Sequence, residues 1–356
     1  MLVEKILLNN FRGYKKKELS LKKGCTIIVG PNAVGKSAIL EAITVLSTAR
    51  SFRKAKDDDL VNFEAEYYYI QSIVKKRNEK LKIAVSYDKK NKAVFKNEKP
   101  LKKISDFISC LLVVNFSVFD FSLINGAPYD RRKFLNLLAS QIQIENVYVL
   151  NEYEKILKDR NIILKKIKIN KSQKMIDLVN VITSQLIEKG KKIISFRNRL
   201  IDAINAQINN QFLKLTGDEK LKIKIEYLPS VSIQDYEEKM KMYFDEDVDK
   251  GSTSFGPHKD DFYILLDNKR INISGSQGQQ RDALLSLKFV TVKMLEDVYG
   301  ESPVLLLDDV FSELDSIRQN NIIKNIEKEN QTIITTTSLS DIDKDVLSTA
   351  NIIELK

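Results

Sequence analysis

The sequence predicts an α/β fold in which strand-rich segments at both ends of the chain flank an inserted helical lobe. Three observations predict it. None of the six prolines (31, 100, 128, 229, 257 and 303) falls within 129–228, and only Gly190 and Gly217 interrupt that interval. It is otherwise filled with helix-forming runs such as "VYVLNEYEKILKDRNIILKKIK". Short β-branched or alternating runs, among them "CTIIVG" and "KLKIKIEYL", lie on either side of it. A G-x-x-x-x-G-K-[ST] motif sits between one such run and a helical pattern, "KSAILEAITVLSTA". The predicted division is a head in two parts, residues 1–125 and 221–356, around a lobe at 126–220.

In chain order, "LVEKILLNNF" alternates as a strand does, and "CTIIVG" reads as a short buried strand ending in Gly. Residues 65–98 read as hairpin strands divided by Lys/Asn turns, with "KKNK" as a tip. The lobe is expected to be an arm of long helices that turns back near "KINKSQK". Beyond about residue 220 the strand pattern returns in "KLKIKIEYL" and "DFYILLD". A helix opening at "SGSQGQQR", the strand "PVLLLDD", another helix and a last strand, "QTIITTTS", complete the chain.

A chain of 356 residues with 43% hydrophobic and 30% charged residues has the composition of a globular protein with a sizeable core. The longest apolar runs, such as "ISCLLVVNF", fall short of the ~18–20 residues that span a bilayer. The N-terminus does not read as a signal peptide. Cys25 and Cys110 sit in apolar contexts, as buried thiols in a reducing compartment do, so a cytoplasmic protein without membrane contact is expected. Lys and Arg outnumber Asp and Glu by 58 to 48, a net charge of +10. That favours a polyanionic partner, although AT-rich coding or thermal adaptation also enriches lysine.

The motif comprises Gly30, Pro31, Asn32, Ala33, Val34, Gly35, Lys36 and Ser37. Its glycines let backbone N–H groups face phosphates, and the following helix N-terminus adds its dipole. Lys36 places a cation at the β- and γ-phosphates, and the Ser37 hydroxyl ligates Mg²⁺. The cofactors expected are therefore ATP and Mg²⁺. The second carboxylate that such a site needs is supplied by "SPVLLLDD". Asp308 would hold the metal, directly or through water, and Asp309 would orient the attacking water. A helix cap is the plainer alternative for this pair, since Asp is a good N-cap.

The order of P-loop, Ser-x-Gly-Gln helix start, four apolar residues with two acids, and "SELD" resembles the ABC-type ATPases, in particular the SMC-like group with a helical insertion. The finer motifs "NNFRGY", "GPNAVGKS", "NGAPYDRRKFLN", "TSFGPHKDDF", "SGSQGQQRDALLSLK" and "LLLDDVFSELD", spread over residues 9–315, resemble the RecF family of bacterial recombination-repair ATPases. The resemblance implies an ATPase head with a helical lobe. It implies a homodimer formed head to tail on ATP, and slow hydrolysis. It further implies binding to duplex DNA with a preference for gapped or single-strand/double-strand junctions. RecR and RecO are the implied partners, with RecA loading as the outcome. By the same resemblance Ser276, Gly278 and Gln279 form the signature segment that completes the partner's nucleotide site. Asp315 in "SELD" lies at the dimer interface, and Arg12 lies near the nucleotide unless it is only an exposed strand-edge charge.

Several departures stand beside the resemblance. The second acid is Asp309 rather than Glu, which fits slow turnover. "VVNFSVFDF" contains no glutamine for a Q-loop. The sole histidine, His258, reads as a structural hydrogen-bonder, and Thr335, Thr336 or Thr337 stands where a switch histidine is expected. Residues 151–200 carry 13 Lys and Arg against 5 Asp and Glu, so DNA contacts are sought there. The candidates are Lys165, Lys166 and Lys168 near the arm tip, Arg53, Lys54 and Lys56 after the P-loop helix, and Arg131 and Arg132. For each of them a solvated surface or an ordinary salt bridge is the competing reading. The head of another SMC-like repair or nuclease complex is the alternative function; an OLD-type nuclease would need a further acidic metal-binding domain. A transporter ATPase subunit fits less well, because it lacks a basic helical lobe.

Overall fold

The computed structural model describes residues 1–77, 79–311, 314, 318–319, 321–322, 330–340 and 342–356. Strands run, in chain order, as β1 (Leu2–Phe11), β2 (Tyr14–Ser20), β3 (Cys25–Val29), β4 (Tyr68–Lys76), β5 (Glu79–Tyr87), β6 (Lys92–Lys96) and β7 (Lys99–Pro100). They continue as β8 (Val113–Phe116), β9 (Ile223–Leu228), β10 (Asp261–Leu266), β11 (Lys269–Arg270), β12 (Val304–Asp308), β13 (Thr332–Thr336) and β14 (Asn351–Glu354). Two compact units emerge. The first holds 1–121, 210–218 and 281–356; the second holds 122–209 and 219–280.

The first unit contains two sheets. One is five-stranded, in the order β14-β3-β13-β12-β8, and every pairing in it is parallel. Its strands "TIIV", "VLLL" and "TIITT" are buried on both faces, which is why they read as continuous apolar or β-branched runs. The other is six-stranded and antiparallel, in the order β2-β1-β4-β5-β6-β7, and its strands alternate between buried and exposed positions. The helix Lys36–Thr48 contacts strands of both sheets, and its residues 38–47 are buried all round. A helix apolar on every side belongs inside a core. Ile39, Leu40, Ile43 and Leu46 join Ile6, Leu8, Phe11, Ile70, Leu306 and Ile333 in one cluster. Each such side chain contributes about 1.5–3 kcal/mol on burial.

The second unit is built on the helices Pro128–Ile142, Glu145–Ile169 and the long helix Gln173–Thr216, whose last residues belong to the first unit. The chain turns back at 170–172, and Leu164, Ile167 and Val179 pack there. The antiparallel sheet β11-β10-β9 also belongs to this unit. The sequence places 221–280 with the head, whereas the contacts place 219–280 with the helices. Polar contacts tie the strand to the long helix. Asn205 of the long helix accepts from the Ile225 N–H at 2.7 Å and donates to its carbonyl at 2.8 Å, and Asn209 accepts from the Ile223 N–H at 3.0 Å. The edge of β9 is thereby tied to a helix of the lobe.

Buried arginines complete this unit. Arg160 is fully buried, pairs with Asp247 at 2.8 Å and donates to Thr183 and Thr253. Arg197 reaches Asp260 at 3.0 Å and the Pro257 carbonyl at 2.7 Å. Asp260 also accepts from the Tyr227 hydroxyl and from the Ser230 N–H at 2.8 Å. His258 lies beside them. Its Nε2 donates to the Thr253 carbonyl at 3.1 Å, which can only accept, so Nδ1 accepts from the Tyr153 hydroxyl at 2.7 Å. No described helix is long and apolar enough to cross a membrane.

Burial pushes His258 down to about 4, below the ~6.5 of an unfolded chain. As pH falls the unfolded state takes the proton first, so the stability that depends on neutral His258 is complete above about 6.5 and is lost towards about 4. His258→Gln should therefore show a flatter decline of the urea midpoint than the wild-type chain between roughly pH 7 and pH 4.5. Parallel declines for the two proteins would refute this role of His258.

Candidate functional site

Strand β3 ends at Val29, and the loop 30–35 turns the chain into the helix Lys36–Thr48. Gly35 caps that helix with φ 101°, a conformation open to glycine and costly for other residues. A Cβ there would also lie 2.5 Å from the Tyr14 hydroxyl. The helix has no side-chain cap, and its first residues, Lys36, Ser37 and Ala38, line a cavity. Lys36 is buried, and its Nζ donates to the carbonyls of Gly30 at 2.6 Å and Pro31 at 2.7 Å. Desolvation pulls its pKa down, while the charges of Asp309 and Asp308 oppose that shift. The loop carbonyls thus position a cation at the point where the helix dipole is positive.

The cavity has a volume of about 400 Å³, within the range of small-molecule sites. Asn32, Ala33, Val34, Gly35, Lys36 and Ser37 line it from the loop. Gly30 and Pro31 contribute through the carbonyls that hold Lys36. Arg12, Gly13 and Tyr14 line it from the β1–β2 turn, and Arg53, Asp309 and Thr335 close the far side. Arg12 is therefore not a free strand-edge charge. Its guanidinium grips the fully buried Glu41 of the P-loop helix through Nε and Nη2, both at 2.8 Å, and donates to the Asp59 carbonyl at 2.8 Å. Its backbone has φ 52°, an uncommon conformation for a non-glycine residue. The Arg12 N–H bond to Leu60 O at 2.8 Å and the Asn62 side chain on the Arg12 carbonyl at 2.6 Å hold it there.

Asp308 ends β12 and is buried; its Oδ1 accepts from the Thr335 hydroxyl at 2.8 Å, and its Oδ2 lies 3.7 Å from Arg53 Nη2. It stands one side chain behind the cavity wall, joined to two residues that line it. Asp309 lines the cavity itself, with φ 54°. The Ser37 hydroxyl and the Asp308 carboxylate are hard oxygen donors of the kind Mg²⁺ takes, and the indirect reach of Asp308 suits contact through water. The donor set fits the ion.

Ser276, Gly278 and Gln279 lie in the other unit, where 276 caps the helix Gln277–Tyr299. The cap is reciprocal. Ser276 Oγ accepts from the Gln279 N–H at 3.2 Å, and Gln279 Oε1 accepts from the Ser276 N–H at 2.9 Å, which is the capping-box arrangement. Ser276 and Gly278 are exposed. Asp315 lies outside the described residues.

Three of the arginines sought as DNA contacts are placed elsewhere. Arg53 lines the nucleotide cavity, with its guanidinium 5.8 Å from the ring centroids of both Phe52 and Phe119. Arg131 is buried and grips Asp261 with Nε and Nη2, at 2.6 and 2.9 Å. That ion pair raises its pKa. Arg132 is half-buried on the Asp260 carbonyl at 2.8 Å, and desolvation lowers its pKa. The causes differ: Arg131 is held by the Asp261 carboxylate, which a buried guanidinium cannot leave cheaply, whereas Arg132 rests on a backbone carbonyl and Arg53 on the cavity wall. Lys54, Lys56, Lys165, Lys166 and Lys168 are exposed, although Lys168 donates to the Asp249 carbonyl.

Sequence reasoning missed Tyr14, Glu41 and Arg53 as parts of the nucleotide site. Tyr14 was within reach, because it ends the "NNFRGY" motif that also holds Arg12. Glu41 carried a signal too, as the one acid among the residues of a mostly apolar helix. Gly35→Ala should disrupt the loop and reduce nucleotide binding by at least about tenfold, as measured by titration with a fluorescent ATP analogue. Arg131→Ala should destabilise the fold by about 3–5 kcal/mol in chemical denaturation, because Asp261 is then left unpaired. A stable Arg131→Ala protein with weakened DNA binding would instead restore Arg131 as a DNA contact.

Residues 2–350 match the family model described as the RecF/RecN/SMC N terminal domain. The DNA replication and repair protein RecF of Bacillus cereus (strain G9842) is 35% identical over 368 aligned positions, covering 100% of this chain and 97% of that protein. A solved structure of the recombination mediator protein RecF with ATP in the RecFOR pathway superposes with a TM-score of 0.90 at 35% identity, covering 96% of this chain and 93% of that one. The Smc head domain of Pyrococcus furiosus, at 19% identity and a TM-score of 0.55 over 99% and 94% of the two chains, shares the fold. The architecture is that of an ABC-type ATPase head, and the chain belongs to the RecF family.

Proposed function

We propose that this chain is an ATP-switched DNA-binding protein of recombinational repair. The observation that carries the reading is the cavity between the P-loop and the Asp308–Asp309 pair, in a chain similar to RecF proteins along its whole length. Loop N–H groups and Lys36 take the phosphates of ATP, and Arg12 and Tyr14 bound the cavity beside them. Ser37 and Asp308 would hold Mg²⁺, which neutralises phosphate charge. Asp309 orients the attacking water. A carboxylate one bond shorter than glutamate reaches less far, so hydrolysis is slow and serves as a timer.

Ser276, Gly278 and Gln279 act on the nucleotide of a second copy of the chain, giving a head-to-tail homodimer with Asp315 at the interface. Gly278 supports this role. Among the described residues a Cβ there would meet Ser276 Oγ at 3.9 Å, an ordinary contact, so their packing does not demand a glycine. Its bareness suits the approach of an external phosphate. DNA, as duplex or as gapped and junction forms, is held by charge and shape, with Lys54, Lys56, Lys165, Lys166 and Lys168 as the exposed candidates. RecR and RecO are the expected partners in the cytoplasm, with RecA loading downstream.

Light scattering with and without ATP and DNA tests the whole scheme. The wild-type chain should be monomeric alone and dimeric with ATP. Lys36→Met should lose nucleotide binding, while Ser276→Arg should bind ATP and stay monomeric. Normal ATP-driven dimers of Ser276→Arg would contradict the role given to the signature segment. Duplex affinity should fall steeply and linearly on a log–log plot against salt; an affinity indifferent to salt would rule out a phosphate-driven contact.

A further inference from the structure

We infer that Thr335 is the positioning residue that sets both carboxylates of the hydrolytic site, an inference that rests on the ATP-hydrolysis reading above. Strand β13 lies between β3, which carries the P-loop, and β12, which carries the acids. The parallel register puts Thr335 directly beside Asp308. Thr335 is fully buried, and its side chain lines the nucleotide cavity.

One hydroxyl makes both contacts. Its oxygen accepts from the Asp309 N–H at 3.0 Å, and it donates to Asp308 Oδ1 at 2.8 Å. An N–H cannot accept, so the single hydroxyl proton must lie on the carboxylate side. Two consequences follow. The Asp308 carboxylate cannot rotate freely: Oδ1 is held by Thr335 and Oδ2 is left towards Arg53, 3.7 Å away. The same hydroxyl ties down the Asp309 backbone in its left-handed conformation, φ 54°, uncommon for a non-glycine residue, at a residue that lines the cavity.

The neighbouring threonines do not share the role. Side chains alternate along a strand, and the Thr336 hydroxyl turns instead to the Ser338 carbonyl at 3.0 Å. Thr337 lies beyond the end of β13 and is exposed. Of the three candidates in "TIITTTS", only Thr335 meets the acids.

Thr335→Val keeps the shape and the strand preference but removes both hydrogen bonds, whereas Thr335→Ser keeps them. Steady-state ATPase kinetics on the full chain should show kcat lowered roughly 10- to 100-fold in Thr335→Val, because a hydrogen bond to a charged group is lost. KM and ATP affinity should stay within about threefold of wild type, since the loop and Lys36 are untouched. Thr335→Ser should turn over within about threefold of wild type. Amide hydrogen exchange at Asp309 should accelerate in Thr335→Val and not in Thr335→Ser. If Thr335→Val does not fold, Thr335→Ala carries the same comparison. The inference is overturned if the hydroxyl-free variant keeps its kcat, if the Asp309 amide exchanges as in wild type, or if Thr335→Ser is impaired as much as Thr335→Val. A wild-type chain that neither binds nor hydrolyses ATP would defeat the functional reading instead, and the exchange measurement would still decide the geometry.

Discussion

The parallel hydrogen bonding of β3 to β13, and of β13 to β12, is the constraint on which the head depends. In a parallel sheet every strand delivers its C-terminal end to the same edge. Gly30 after β3, Thr335 near the end of β13 and Asp308 at the end of β12 therefore meet at one edge, although hundreds of residues separate the first from the others. This is where ligands gather in α/β folds. Neighbouring strands lie about 4.8 Å apart, so the acids stand roughly two strand spacings, ~10 Å, from the start of the P-loop. The intervening strand supplies Thr335, which holds the two acids on one side of that gap.

The antiparallel sheet serves the same site in a different way. It carries the Arg12 turn to the P-loop helix, where the fully buried Glu41 would be an uncompensated charge without Arg12. Burying an unpaired carboxylate costs several kcal/mol, so the hairpin and the helix are mutually dependent. The left-handed backbone at Arg12, the glycine cap at 35 and the Tyr14 ring packed against it belong to this one junction. Local strain is tolerated there because the Leu60 carbonyl accepts from the Arg12 N–H and the Asn62 side chain donates to the Arg12 carbonyl, which holds the turn in place.

The second unit shows how a basic protein spends its arginines. Arg131, Arg160 and Arg197 are all buried on aspartates. Their guanidinium groups are planar and satisfy several acceptors at once, which suits them to interior sites. The positive charge left for a polyanion on this lobe is then mainly lysine, a flexible point charge well matched to phosphates and poorly matched to base edges. Motifs as distinctive as "RRKF" and "GPHKDD" thus take part in how the lobe is assembled.

The sequence by itself determined the strand-to-helix phosphate loop, the acids after a buried strand, the helical insertion and the family resemblance. All of these are encoded locally, in residue spacing and in periods of two and 3.6. The helix start at "SGSQGQQR" was likewise local, and the structure adds the capping box between Ser276 and Gln279. What only the tertiary structure decided was partnership across the chain: Arg12 with Glu41, Arg131 with Asp261, Arg53 with the nucleotide cavity, and Thr335 rather than Thr336 or Thr337 with the acids. The grouping of 219–280 with the helices belongs to the same class, since contacts such as those of Asn205 and Asn209 with β9 join residues far apart in the chain. A charged or hydroxyl side chain reads alike in sequence whether it faces water, an ion pair or a ligand. Its role is set by what the fold brings to within 3 Å of it, and that is a property of strand order and helix packing rather than of neighbouring letters.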